Sequence, residues 1–164
     1  MFIVKAAASL LVLFVARTLS AEYKRYAEEK NAVREGFLSL LEFIKNELGC
    51  RLRSVAEWAA EFENDALERS GFIAELLKTG SLAAAFSAAK SKMPPLGAEA
   101  KRVLETYFSS FGRSYKEDEE EKTARAKTEL ANVLKNEREA AEKSVRAMTV
   151  LCYAVALGVI ILFI

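Results

Sequence analysis

The stretch from Ala147 to Ile164, "AMTVLCYAVALGVIILFI", runs 18 residues without a charge, directly after Arg146. As a helix rising about 1.5 Å per residue it covers about 27 Å, close to the ~30 Å hydrocarbon thickness of a bilayer. The competing reading is a buried core helix. That reading is disfavoured because the segment is apolar all round and the preceding residues offer no equally apolar surface to receive it. Residues 147–164 therefore read as a transmembrane helix, a tether with no cargo beyond it.

The other end narrows the choice further. Residues Phe2 to Ala16 are apolar apart from Lys5, which sits near the start and can extend toward the head groups. A cleavable signal peptide is the alternative for this segment. Arg17 follows the apolar run directly, and the nearest small-residue site, Leu19-Ser20-Ala21, has a bulky first residue, so an uncleaved span over 1–19 is favoured.

Two spans leave residues 20–146 alone on one side of the membrane. Arg17, Lys24, Arg25, Lys30 and Arg34 follow the first span, and Lys127, Lys135, Arg138, Lys143 and Arg146 precede the second. The opposite side offers only Lys5 and the α-amino group, so the positive-inside rule puts the middle in the cytoplasm.

Composition then limits what the middle can do. Between Arg17 and Arg146 lie 23 basic and 23 acidic residues, a formally neutral domain. That neutrality argues against nucleic acid as the main partner, because phosphate binding needs a net basic stripe. The absence of histidine removes His-based zinc sites and Ser-His-Asp triads. Cys50 and Cys152, one in the domain and one in the tail, cannot form an internal bridge without drastic rearrangement.

The middle is expected to be helical, since Ala, Glu, Lys, Arg and Leu dominate it and its two prolines are adjacent at Pro94-Pro95. A first helix is predicted over about 20–48, with the stripe Val33, Phe37, Leu40, Leu41, Ile44, Leu48 and a stop at Gly49. Two further helices carry Leu52, Val55, Ala59, Phe62 and Leu67, Phe72, Leu76, Leu77. Gly80 ends the latter and Ser81 caps the next. A helix presenting Leu104, Tyr107, Phe108 and Phe111 follows, ending at Gly112.

The last helix is predicted to start with a capping box at Ser114 and Glu117 and to run unbroken into the membrane. Pairs Glu121/Arg125, Glu139/Lys143 and Glu142/Arg146 have the supporting i,i+4 order. The fold class is thus all-α: a small cytosolic helical bundle between an N-terminal and a C-terminal transmembrane helix.

No motif points to catalysis. The acidic run Glu117, Asp118, Glu119, Glu120, Glu121 suits the positive end of a helix dipole. Consecutive acids point in different directions and cannot converge on one ion unaided. Trp58 lies opposite the apolar stripe of its predicted helix, so it is expected to be exposed. These six residues are the candidate partner-binding surfaces. Tyr107, Phe108, Phe111 and Tyr115 have helical spacing and read as core, and Ala84 and Ala88 read as a small-residue packing face. Neither a phosphate-binding glycine loop nor a nucleophile–base pair is visible, so no catalytic, cofactor or metal residue and no small-molecule substrate is assigned.

Particular stretches resemble the stage III sporulation protein AB family of endospore-forming bacteria: "SLLE" at Ser39–Glu42, the helix at Leu52–Ala56, "TGSLAAAF" at Thr79–Phe86 and "YFSSFG" at Tyr107–Gly112. The chain departs from the family at Arg51, where proline is usual, and at Tyr115-Lys116, where Leu-Gly is common. The resemblance implies a component of the mother cell–forespore channel, with a domain similar to the cytoplasmic domains of the type II secretion inner-membrane platform. It implies further that the chain sits in the mother-cell membrane facing the forespore, with other stage III channel proteins and a secretion-type ATPase as partners. A generic helical membrane scaffold, self-associating through Leu130, Val133, Ala141 and Val145, is the alternative.

Overall fold

The computed structural model describes residues 2–50 and 53–163, with side chains described over 9–49 and 53–161. Helix is the only regular structure among the described residues. The elements are α1 (Phe2–Cys50), α2 (Val55–Ala59), α3 (Asp65–Arg69), α4 (Phe72–Thr79), α5 (Leu82–Ala89), α6 (Ala98–Ser110) and α7 (Lys116–Phe163). The chain divides into two compact units: residues 29–137, and residues 1–28 together with 138–164. Helices α1 and α7 contribute to both.

In the unit 29–137, the predicted α1 stripe is the centre of the core. Val33, Phe37, Leu40, Leu41 and Ile44 are buried and Leu48 packs at the edge. Phe37 is fully enclosed, with ring centroids 5.1 Å from Phe72, 5.6 Å from Phe86 and 6.1 Å from Phe108. The first two are edge-to-face, the arrangement that the aromatic quadrupole favours. One ring from α1 thereby gathers α4, α5 and α6. Leu130 and Leu134 of α7 are buried in the same cluster. Leu130 is spent in this core, so the self-association stripe that would begin with it is not available as a seam.

Several predicted boundaries shift for identifiable reasons. Helix α1 does not begin near Ser20: neither proline nor glycine occurs between Phe2 and Glu35, and the helix is continuous from Phe2 through Cys50. The single helix expected to carry Leu67 through Leu77 is two. Gly71 adopts φ 77°, a left-handed conformation that ends α3, and the buried Ser70 hydroxyl donates to the Leu67 carbonyl at 2.7 Å. Leu77 falls outside the core, 46% exposed. The cap at Ser81 forms as expected, its Oγ accepting from Ala84 N at 3.5 Å, but Ala85 and Ala89 face inward while Ala84 and Ala88 are exposed. Gly80 and Gly112 end α4 and α6 as predicted.

A close approach explains a mid-helix glycine. A Cβ at Gly36 would lie 2.8 Å from Asn64 Oδ1 and 2.9 Å from Leu67 Cγ, so the start of α3 rests directly on the α1 backbone. Asn64 caps α3 by accepting from Leu67 N at 3.0 Å.

In the other unit the two terminal helical segments run antiparallel. Ser20 Oγ and Thr149 Oγ1 are 3.0 Å apart, and Tyr23 OH and Ser144 Oγ are 2.9 Å apart. Ala16 and Ala156 are buried, while Leu10, Leu11, Phe14 and Leu19 on α1 and Val150, Leu151, Val155 and Ile161 on α7 are exposed. Small residues and hydroxyls thus lie at the contact, with large apolar groups outward. Ala141 and Val145 are half-buried within this unit. Among the described residues α7 is the helix long and apolar enough to cross a membrane. The first eight side chains of the span expected over 1–19 lie outside the described residues, as do Arg51 and Leu52.

Candidate interaction surfaces

The acidic run divides into one inward residue and four outward ones. Helix α7 begins at Lys116, one residue later than a Ser114 cap requires, and the Ser114 N–H is not bonded to Glu117. Instead the Ser114 N–H donates to Glu119 Oε1 at 3.0 Å, and Lys122 Nζ approaches the same oxygen at 3.7 Å while bonding the Ser114 hydroxyl. Glu119 is only 3% exposed, so it fastens the chain reversal before α7 and is removed from the candidate surface. Glu117, Asp118 and Glu121 are exposed, and Glu120 is half-buried beside Lys116 at 4.0 Å. Glu121 pairs with Arg125, as predicted. Lys116 also donates to the Gly49 carbonyl at 3.2 Å, which holds the acidic end of α7 against the end of α1. Tyr115, 85% exposed, stands beside the acids and not in the core.

Trp58 is not a surface residue. It is 3% exposed, with its ring 6.1 Å from Phe43 of α1. The predicted exposure assumed a helix long enough for its stripe to face the core, but α2 has five residues. Its direction is set at its start: Ser54 accepts from Glu57 N and the Glu57 carboxylate accepts from Ser54 N at 2.8 Å, a capping box. That hydrogen-bonded N–H, first among the causes, also holds the Glu57 carboxyl below its ordinary pKa. The Ser-x-x-Glu spacing at 54–57 is the signal that sequence analysis overlooked.

An open groove of about 480 Å³ lies between α6 and α7, lined by Arg102, Val103, Tyr107, Lys122, Arg125 and Glu129 among others. Behind the lining Tyr107, its OH and the buried Thr123 Oγ1 are 2.8 Å apart, and Thr123 donates to the Glu119 carbonyl at 2.6 Å. Burial pushes the Tyr107 phenol well above its ordinary pKa, and the nearby Glu119 charge adds to the shift. On the rim Arg102 pairs with Glu129 at 3.8 Å and Arg125 with Glu121, so cations and carboxylates alternate. Among the described residues no group of acids and cysteines is arranged to hold a metal.

The decisive comparison is with a family model. That for stage III sporulation protein AB matches residues 5–164, nearly the whole chain. The chain belongs to the stage III sporulation protein AB family. Its role accordingly lies in sporulation. No curated protein and no solved structure shows a significant match.

In this family member the stretches that carry the resemblance are joints of the fold. Leu40 and Leu41 of the "SLLE" stretch are fully buried in α1. Within "TGSLAAAF", the Thr79 hydroxyl donates to the Glu75 carbonyl at 2.7 Å and accepts from Ser81 N at 3.4 Å across the Gly80 turn. "YFSSFG" ends α6 with Tyr107 and Phe108 inside and Gly112 at φ 78°.

A buried ion pair, not expected from the sequence, joins α1 to α7. Arg34 of α1, 4% exposed, pairs with Glu137 of α7 and donates to Asn31 Oδ1 at 3.1 Å. Gly97, before α6, sits under the Glu137 carboxylate: a Cβ there would lie 2.5 Å from Cδ. Nothing local in the sequence marks this triad.

Proposed function

We propose that this chain is a non-enzymatic, membrane-anchored component of the mother cell–forespore channel complex. It is platform-like in the manner of type II secretion and couples a cytosolic secretion-type ATPase to the membrane channel parts. In this account α7, and α1 beside it, sit in the mother-cell membrane facing the forespore, with residues 29–137 in the cytoplasm. The partners are other stage III channel proteins. No nucleic acid, small-molecule substrate, cofactor or metal takes part.

The observation that carries the proposal is α7 itself. A single helix, Lys116–Phe163, begins with the acidic residues of the folded unit and ends in a stretch able to cross a membrane. A partner bound at its start acts on an element that continues into the bilayer. The flanking basic residues support the cytoplasmic orientation. The alternative, a self-associating scaffold, is less well supported because Leu130 is enclosed in the chain's own core.

The test is charge reversal of Glu117, Asp118, Glu120 and Glu121 to Lys in sporulating cells. Loss of spores and of ATPase co-purification, with the variant still in the membrane fraction, is the expected outcome. Wild-type spore counts and ATPase recovery would remove the acidic surface from the account.

A further inference from the structure

A second surface lies where the antiparallel terminal segments emerge from their apolar part. The pairs Ser20–Thr149 and Tyr23–Ser144 fix the register, so Arg146 lies nearly level with Glu22. Arg17 is about five residues deeper and Lys24 about two residues shallower, so the three cations span about 10 Å of helical rise. All three are exposed.

They also share a flank. Ala16, Ser20 and Tyr23 mark the face of α1 turned to its neighbour. Arg17 and Lys24, seven residues apart, lie about a quarter-turn round from that face. On α7 the inward face runs through Val145, Thr149 and Ala156, and Arg146 again lies about a quarter-turn away in the direction of the chain. Because the helices are antiparallel, both quarter-turns lead to the same side of the pair. Glu22 lies on the opposite side. Two carboxylates on the cationic flank are engaged, Glu28 with Lys24 at 3.7 Å and Glu142 with Arg138 at 3.5 Å, and Glu139, seven residues before Arg146, lies about 10 Å further from the apolar part.

Deeper on this flank stand Leu10 of α1, seven residues before Arg17, and Tyr153 and Leu157 of α7, all substantially exposed. Cations above an apolar strip match a ligand with an anionic head and a hydrocarbon tail. Guanidinium groups bind phosphate oxygens in pairs, and a lysine adds a point charge.

We propose that Arg17, Lys24 and Arg146 hold the phosphate of an anionic phospholipid, its acyl chain lying against Leu10 and Leu157. The site rests on the membrane placement above. The lipid bridges the two helices from one side and fixes the height at which the pair sits in the bilayer.

The test uses the full chain in vesicles of phosphatidylcholine alone or with phosphatidylglycerol. Flotation is followed by native mass spectrometry of the released protein. Expected is retention of phosphatidylglycerol over phosphatidylcholine by about 25-fold, since Arg17 and Arg146 each contribute about a factor of five while Glu28 offsets Lys24. The enrichment is lost in R17Q/R146Q and kept in the outward-facing control R25Q/K143Q. Equal retention of both lipids by the wild type, enrichment surviving in R17Q/R146Q, or equal loss in the control would overturn the site while leaving membrane insertion intact. A chain that floats with neither vesicle would overturn the membrane placement and the site together.

Discussion

Substituting Gly97 by alanine tests how the unit 29–137 is closed. Gly97 has φ −60° and ψ 154°, which any residue adopts, so space alone demands glycine there. A Cβ would lie 2.5 Å from Glu137 Cδ and 2.8 Å from Oε2, and closer still to Oε1. The carboxylate must leave. The Glu137 side chain is 22% exposed and can swing outward cheaply, but the Arg34 side chain, 5% exposed, stays behind.

Stranding a buried charge costs about 3–5 kcal/mol, and the lower end applies because Arg34 keeps its bond to Asn31. With a urea dependence of about 1.5 kcal/mol per molar, a loss of about 3 kcal/mol lowers the unfolding midpoint by about 2 M. Trp58 is the sole tryptophan and is buried in this unit, so its fluorescence reports the transition directly. Glu137→Ala should cost about as much by itself. In that background Gly97→Ala should be neutral or stabilise by about 0.5 kcal/mol, through the loss of chain entropy in the unfolded state. Wild-type stability of Gly97→Ala, or the same loss in both backgrounds, would refute the reasoning.

Three further outcomes are expected. Trp58→Ala should destabilise the unit by about 3–4 kcal/mol, seen as lost amide-exchange protection in α2 and the facing part of α1; intact protection would return Trp58 to the surface. Stability should fall above pH ~10, because an unfolded tyrosine ionises there while Tyr107, held neutral by burial, does not. This contributes about 1.4 kcal/mol per pH unit, and Tyr107→Phe should remove it from pH-dependent urea titrations. In a chain with Cys50 and Cys152 replaced by serine, Ser20→Cys with Thr149→Cys should cross-link on oxidation, whereas Leu19→Cys with Val150→Cys should not; the reverse result would contradict the register of the terminal pair.

Local signals were legible where they decided the structure by themselves. The Phe37 stripe, the Gly80–Ser81 joint, the end of α6 at Gly112 and the unbroken last helix all follow from spacing and from the conformations glycine and serine adopt. Trp58 was misjudged because its burial is decided by a five-residue helix leaning on Phe43, and periodicity over so short an element is uninformative. Glu119 looked like its four acidic neighbours. Only the reversal of the chain at Ser114 shows that it points inward. Arg34, Gly97 and Glu137 meet from three distant parts of the chain, and no local pattern anticipates them. The antiparallel contact of the terminal segments rests on hydroxyl pairs, Ser20 with Thr149 and Tyr23 with Ser144, that look like ordinary polar positions in sequence.

The proposed function depends most on the side of the membrane that residues 29–137 occupy. Ala84 is exposed on α5, so a single cysteine there, with Cys50 and Cys152 replaced by serine, reports that side to a membrane-impermeant maleimide. The account predicts protection in intact cells and labelling after permeabilisation. Labelling of intact cells would place the domain outside, where no cytosolic ATPase could reach it, and would contradict the proposed function.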